Sequence, residues 1–129
     1  MNILIILMAV LVLSGCHTSR KTTNYEAHVE QLRITSKEKM RDYLSCVENS
    51  SLRYASSKET AKDIALAALN NCETQFVDTR QAFIQLIRTA DKHDLTKMDI
   101  RLIKESRSRL KKKAYLNAIR NVIEERANN

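Results

Sequence analysis

This sequence predicts an all-α fold, a small bundle of about three helices. Three observations predict it. The 129 residues contain no proline and a single glycine, Gly15, so tight hairpin turns, which usually need glycine or Asn-Gly, are disfavoured. The chain is dominated by Ala, Leu, Lys, Arg, Glu and Ile, residues with good helix propensity, and apolar residues recur at three- and four-residue steps over several long segments.

The chain opens differently. Residues 3–13 are eleven consecutive apolar residues. A bilayer span needs roughly 20, whereas the apolar region of a secretory signal runs roughly 7–15. Only Met1 and Asn2 precede the run, without Lys or Arg, so the terminal amine supplies the positive charge. The run ends in Leu13-Ser14-Gly15-Cys16, with two small residues before a cysteine. This stretch resembles the lipobox of bacterial lipoproteins. The resemblance implies that residues 1–15 are a cleaved signal peptide and that Cys16 becomes the first residue. It also implies a diacylglyceryl thioether on Cys16 and an N-acyl chain such as palmitate. One acyl chain holds a protein to a membrane marginally, and two or more hold it stably. By the usual enterobacterial sorting pattern, an Asp after the cysteine retains the protein in the inner membrane. Here that residue is His17, which favours the outer membrane. The expected organisation is a signal at 1–15, a lipidated cysteine and short polar tether at 16–24, and one helical domain at 25–129.

The first helical pattern begins near Tyr25. Met40, Tyr43, Leu44, Val47 and Tyr54 share a face, and Thr35 with Glu38 offers a capping pair. One long helix and two shorter ones are both compatible with this stretch. Ser50-Ser51 and Ser56-Ser57 bracket a weak region. Either Ser56 with Glu59 or Thr60 with Asp63 caps the next helix. That helix, over 61–90, carries Ala65, Ala68, Leu69, Cys72, Phe76, Thr79, Phe83 and Ile87 on one stripe and Leu66, Val77 and Ile84 on a second. Two apolar stripes place it at the centre of the domain. Thr96 with Asp99 caps a last helix over 97–126.

Net charge is +7. Residues 95–129 hold ten Lys or Arg against four Asp or Glu, while 58–94 hold five against six. The basic excess therefore belongs to the last helix, around Arg107, Arg109, Lys111, Lys112 and Lys113. This stretch reads either as a solvated helix face or as an anion-facing patch. Outside the cytosol the available polyanions are phospholipid headgroups, lipopolysaccharide and acidic protein faces, and nucleic acid is not expected as a partner. Beyond it, Tyr115, Leu116, Ile119 and Ile123 belong to a stretch apolar around much of its circumference. It serves either as core packing or as a face for a partner helix or a second copy.

Cys46 and Cys72 are the remaining cysteines. Exported proteins meet an oxidising compartment where such thiols pair. A helical hairpin that sets 46 level with 72 turns near 59, where the weak region and capping pairs lie. The spacing predicts a Cys46–Cys72 disulfide across that hairpin. A redox role would call for a CxxC spacing or a helix N-terminus, and both cysteines fall inside predicted helices.

Nothing else points to a reaction. His17, His28 and His93 are scattered, and no Cys, His or carboxylate set has metal-site spacing. With Gly15 removed, neither a phosphate-cradling loop nor a G-x-S-x-G elbow is available. No cofactor is expected besides the lipid on Cys16. Without Trp and with few aromatics, a sugar platform or base-stacking surface is not expected. The function expected is that of a non-enzymatic envelope lipoprotein that binds another protein or supports an assembly. The alternative is a binder of anionic lipid or lipopolysaccharide through the basic helix.

Overall fold

The computed structural model describes residues 23–129. The signal at 1–15, Cys16 and nearly all of the 16–24 tether lie outside the described residues. Four helices follow in order: α1 (Asn24–Arg53), α2 (Ala61–Asn71), α3 (Glu73–Asp91) and α4 (Lys97–Asn128). Among the described residues no strand occurs, and no helix is long and apolar enough to cross a membrane.

The stretch that left one helix or two open is a single helix of 30 residues, about 45 Å long. It begins at Thr23, whose hydroxyl accepts from the Glu26 N–H at 3.2 Å while the Thr23 N–H donates to the Glu26 carboxylate at 3.1 Å. Thr35 is not a cap. Its hydroxyl donates to the Gln31 carbonyl one turn back, at 3.0 Å, and the helix runs through it. Of the two candidate caps for the second helix, the structure uses Thr60, which accepts from the Asp63 N–H at 3.2 Å.

The expected count of about three helices needs correction to four among the described residues, because the 61–90 segment is two helices. The break falls at Asn70-Asn71-Cys72. Asn is a weak helix former, and Asn71 turns its amide to Ser50 of α1, 3.3 Å away. The Cys72 backbone leaves helical geometry at φ −106 and ψ 18, and its N–H bonds back only three residues, to the Leu69 carbonyl. Cys72 is also bonded to Cys46, with Cα atoms 6.0 Å apart. The break therefore sits where the chain is tied sideways to α1.

The centre of the domain also differs from expectation. The second stripe of the 61–90 segment is uncovered at Leu66 and Val77, which are 51% and 41% exposed. The element packed most extensively against the other three helices is α1. Tyr43 and Val47 of α1 pack with Ala65, Ala68 and Leu69 of α2, Phe76 of α3, and Leu110, Ala114 and Ala118 of α4. Alanines on the facing sides of α2 and α4 let those helices lie close together. A second small cluster joins Ala55, Ile64 and Val122. Below the break, α3 and α4 both lean on α1 but hardly touch each other.

Candidate functional site: the faces of the last helix

α4 is 32 residues long, about 48 Å, and it carries most of the candidate site residues. Thr96 and Asp99 start it with a reciprocal capping box. The Thr96 hydroxyl accepts from the Asp99 N–H at 3.2 Å, and the Thr96 N–H donates to the Asp99 carboxylate at 2.8 Å. The helix then turns a regular stripe inward: Ile103, Leu110, Ala114, Ala118 and Val122 are all buried. At 100° per residue this stripe fixes the direction of every other side chain.

The five basic residues over 107–113 divide between two directions. Arg107 and Lys111, one turn apart, face the bundle and lie over the Phe76 ring, with the guanidinium carbon 5.1 Å and the ammonium 5.0 Å from its centroid. Lys111 also pairs with Glu73 of α3 at 3.4 Å. Arg109, Lys112 and Lys113 are exposed; Arg109 and Lys112 project from the far side, and Lys113 from the flank that also carries Ser106. The basic stretch is therefore not one patch. The apolar candidates divide similarly. Tyr115 and Ile119 pack against the main core, whereas Leu116 and Ile123 are 53% and 56% exposed. Leu116 and Ile123 lie two turns apart, on the side opposite Ala114, Ala118 and Val122. Arg109 and Lys112 share that outer side.

Of the cysteines, Cys72 is fully buried and Cys46 is half-buried against the core. The expectation that both cysteines fall inside helices needs correction for Cys72: the break between α2 and α3 puts it at the N-cap of α3, a position that activates a free thiol, but here its sulfur is bonded to Cys46. His28 is exposed on α1, and His93 is exposed in the turn between α3 and α4.

One grouping was not legible from spacing. Ligand atoms of Asp91, His93 and Asp99 come within 4.8 Å of one another, because the turn after α3 folds back onto the start of α4. The only sequence signal for it is the Thr96–Asp99 capping pair, which sets Asp99 beside the turn. The Asp99 carboxyl is held below the ordinary aspartate range, first by the Thr96 hydroxyl and backbone N–H and lastly by nearby His93. Arg88 and Lys92 line the same corner. The trio thus accounts for itself as a cap and its electrostatic surroundings.

The sequence missed a clamp. Arg126, in the last turn of α4, donates to the carbonyl oxygens of Ala55 at 2.7 Å, Ser57 at 2.8 Å and Glu59 at 2.7 Å. It closes the loop between α1 and α2 from 67 to 71 residues away in sequence. A periodicity argument treats a terminal arginine as a solvated charge and has no means of finding this.

No family model, no curated protein and no solved structure matches the chain.

Proposed function

We propose that this chain is a lipid-anchored protein of the bacterial cell envelope that binds another protein, as a non-enzymatic accessory subunit of an envelope assembly. Anchoring is supported by the lipobox-like Leu13-Ser14-Gly15-Cys16 after its apolar run. An oxidising compartment is supported by the Cys46–Cys72 disulfide. The observation that carries the binding role is the outer side of α4. Leu116 and Ile123 are more than half exposed there, on a helix whose inner stripe is already buried. Paired apolar residues two turns apart are what a partner helix engages.

Arg109 and Lys112 on the same outer side, with Lys113 on the flank beside it, favour a second reading, in which these three meet anionic lipid or lipopolysaccharide. Each such residue contributes about 1 kcal/mol near an anionic surface. Crosslinking in intact cells from a photoreactive residue at position 116 tests both. Under the protein-binding role it captures one discrete protein, Leu116→Glu with Ile123→Glu abolishes capture, and Lys112→Glu with Lys113→Glu leaves it. Capture of lipid or polysaccharide alone, lost on charge reversal and on added salt, supports the polyanion reading instead.

A further inference from the structure

The lower half of the bundle is missing a side. Above Cys72, α2 fills the space between α1 and α4. Below it, α3 turns away from α4, and both rest on α1 with little direct contact between them. An open groove results, with α1 as its floor and α3 and α4 as its walls. Met40 of α1, Phe76 and Phe83 of α3, and Leu110 of α4 make its surface apolar. The incompleteness shows in burial. α3 has only two buried residues, Phe76 and Thr79, and Phe83, Ile84, Leu86 and Ile87 after them are all half-covered. Met40 on the floor is 40% exposed.

Two cations stand at this groove: Arg80 on the α3 wall and Arg107 on the α4 wall. Neither takes part in an ion pair among the described residues. The Arg107 Nε is buried without a hydrogen-bond partner among the described residues, and a buried donor left unpaired is costly. A ligand that carries a carboxylate to these arginines and an apolar group to the cavity satisfies both deficits together. The cavity is about 110 Å³. It is of the order of the roughly 150 Å³ engineered cavity that takes one benzene ring. One large side chain therefore fits, and an acyl chain of membrane length does not.

On the basis of the protein-binding role proposed above, we infer that this groove receives an acidic amphipathic helix of the partner. One Leu or Phe of that helix enters the cavity, and flanking carboxylates pair with Arg80 and Arg107. The occupant completes the missing wall of the bundle in the helix-in-groove manner. Charge complementarity sets its sign: an acidic helix is drawn to the unpaired arginines, and a basic one is repelled.

The test uses the protein purified in detergent from the membrane fraction and two labelled helical peptides of equal length. One carries leucines on one face flanked by glutamates, and the other carries the same leucines flanked by lysines. Fluorescence anisotropy is expected to show at least about tenfold preference for the glutamate peptide, the equivalent of 1.4 kcal/mol. Arg80→Glu with Arg107→Glu should invert that preference. Met40→Trp, which fills the cavity and leaves the charges, should abolish binding of both peptides. Lys112→Glu, on the far side of α4, should change it less than twofold. Equal binding of the two peptides, binding of neither, or an equal effect from the far-side reversal would overturn the inference. A photoreactive residue at position 83 in cells separates this failure from failure of the binding role. Capture of a protein at 116 and not at 83 removes the groove and leaves the role. Capture at 83 through an acidic helical segment, lost on charge reversal at 80 and 107, supports the groove. Capture at neither position removes both.

Discussion

The rings of Tyr43 and Phe76 meet at the middle of the bundle with centroids 5.1 Å apart and planes tilted by 47°. Tyr43 is completely buried, and its hydroxyl finds no hydrogen-bond partner among the described residues. Burial, and secondarily the Glu73 carboxylate, push the Tyr43 hydroxyl up to about 12. The stacking supplies packing energy, and the hydroxyl opposes it.

Tyr43→Phe keeps the ring and removes the orphan. Its stability at neutral pH is expected to be unchanged or higher by up to about 1–3 kcal/mol, the cost of an unsatisfied buried group. The pH dependence follows from the same shift. An unfolded tyrosine ionises near 10, so between about pH 10 and 12 the unfolded chain sheds a proton that the folded chain retains. Tyr43 therefore leaves stability untouched below pH 10 and lowers it as pH rises through that window. Urea unfolding of the Phe variant should show a shallower alkaline decline than the parent. A substantially destabilised variant would mean that the hydroxyl has a partner.

The Cys46–Cys72 bond closes a loop between residues 26 apart. In the chain-entropy model such a closure contributes roughly 3–4 kcal/mol, a large share of the stability of a small domain. Cys46→Ala with Cys72→Ala, or reduction of the parent, should lower the unfolding free energy by about that amount. The α2–α3 junction should lose hydrogen-exchange protection first. A variant as stable as the parent would show that core packing alone sets the junction.

The start of α4 titrates on the acid side. The Asp99 carboxyl lies below its ordinary value of 3.8, chiefly through the Thr96 hydroxyl. A depressed carboxyl contributes stability that is present above its unfolded value and is lost as pH falls through the folded one. Asp99→Asn should flatten the acid limb of a stability–pH curve below about pH 4. Thr96→Ala removes the cap itself and should cost about 1 kcal/mol at neutral pH. An unchanged acid limb in Asp99→Asn would assign acid sensitivity to other carboxylates.

Arg126 holds three carbonyls of the 55–59 segment at once. Arg126→Ala should cost about 1.5–3 kcal/mol, the range for charged hydrogen bonds, and raise exchange at Ser57. Arg126→Lys keeps the charge but not the planar fork, and should recover only part of the loss. Full recovery by lysine would show that charge rather than geometry closes the loop.

Much of the all-helical fold was legible in the sequence, for stated reasons. The absence of proline and the near absence of glycine leave few ways to build anything else, and Thr96–Asp99 marks one helix start by capping chemistry alone; the same chemistry left Ser56–Glu59 and Thr60–Asp63 both open for α2 and offered Thr35–Glu38, which α1 runs through. The break at Cys72 was not legible, because its apolar stripe continues across it from Leu69 to Phe76. Only the weak pair Asn70-Asn71 and the sideways tie to Cys46 interrupt the helix. The inward and outward division of Arg107, Lys111 and Arg109, Lys112 follows from 100° per residue once the buried stripe is known. Composition alone merges them. The groove has no sequence signature at all, because it arises from where α3 points after the break.

The most direct measurement is the mass of the N-terminal peptide of the protein recovered from the membrane fraction. A chain that begins at Cys16 and carries a diacylglyceryl thioether with an N-acyl chain is the expected result, and Cys16→Ala should abolish both processing and membrane recovery. A chain that retains Met1, or one cut elsewhere with an unmodified Cys16 thiol, would contradict lipid anchoring and with it the placement of the helical domain at the envelope.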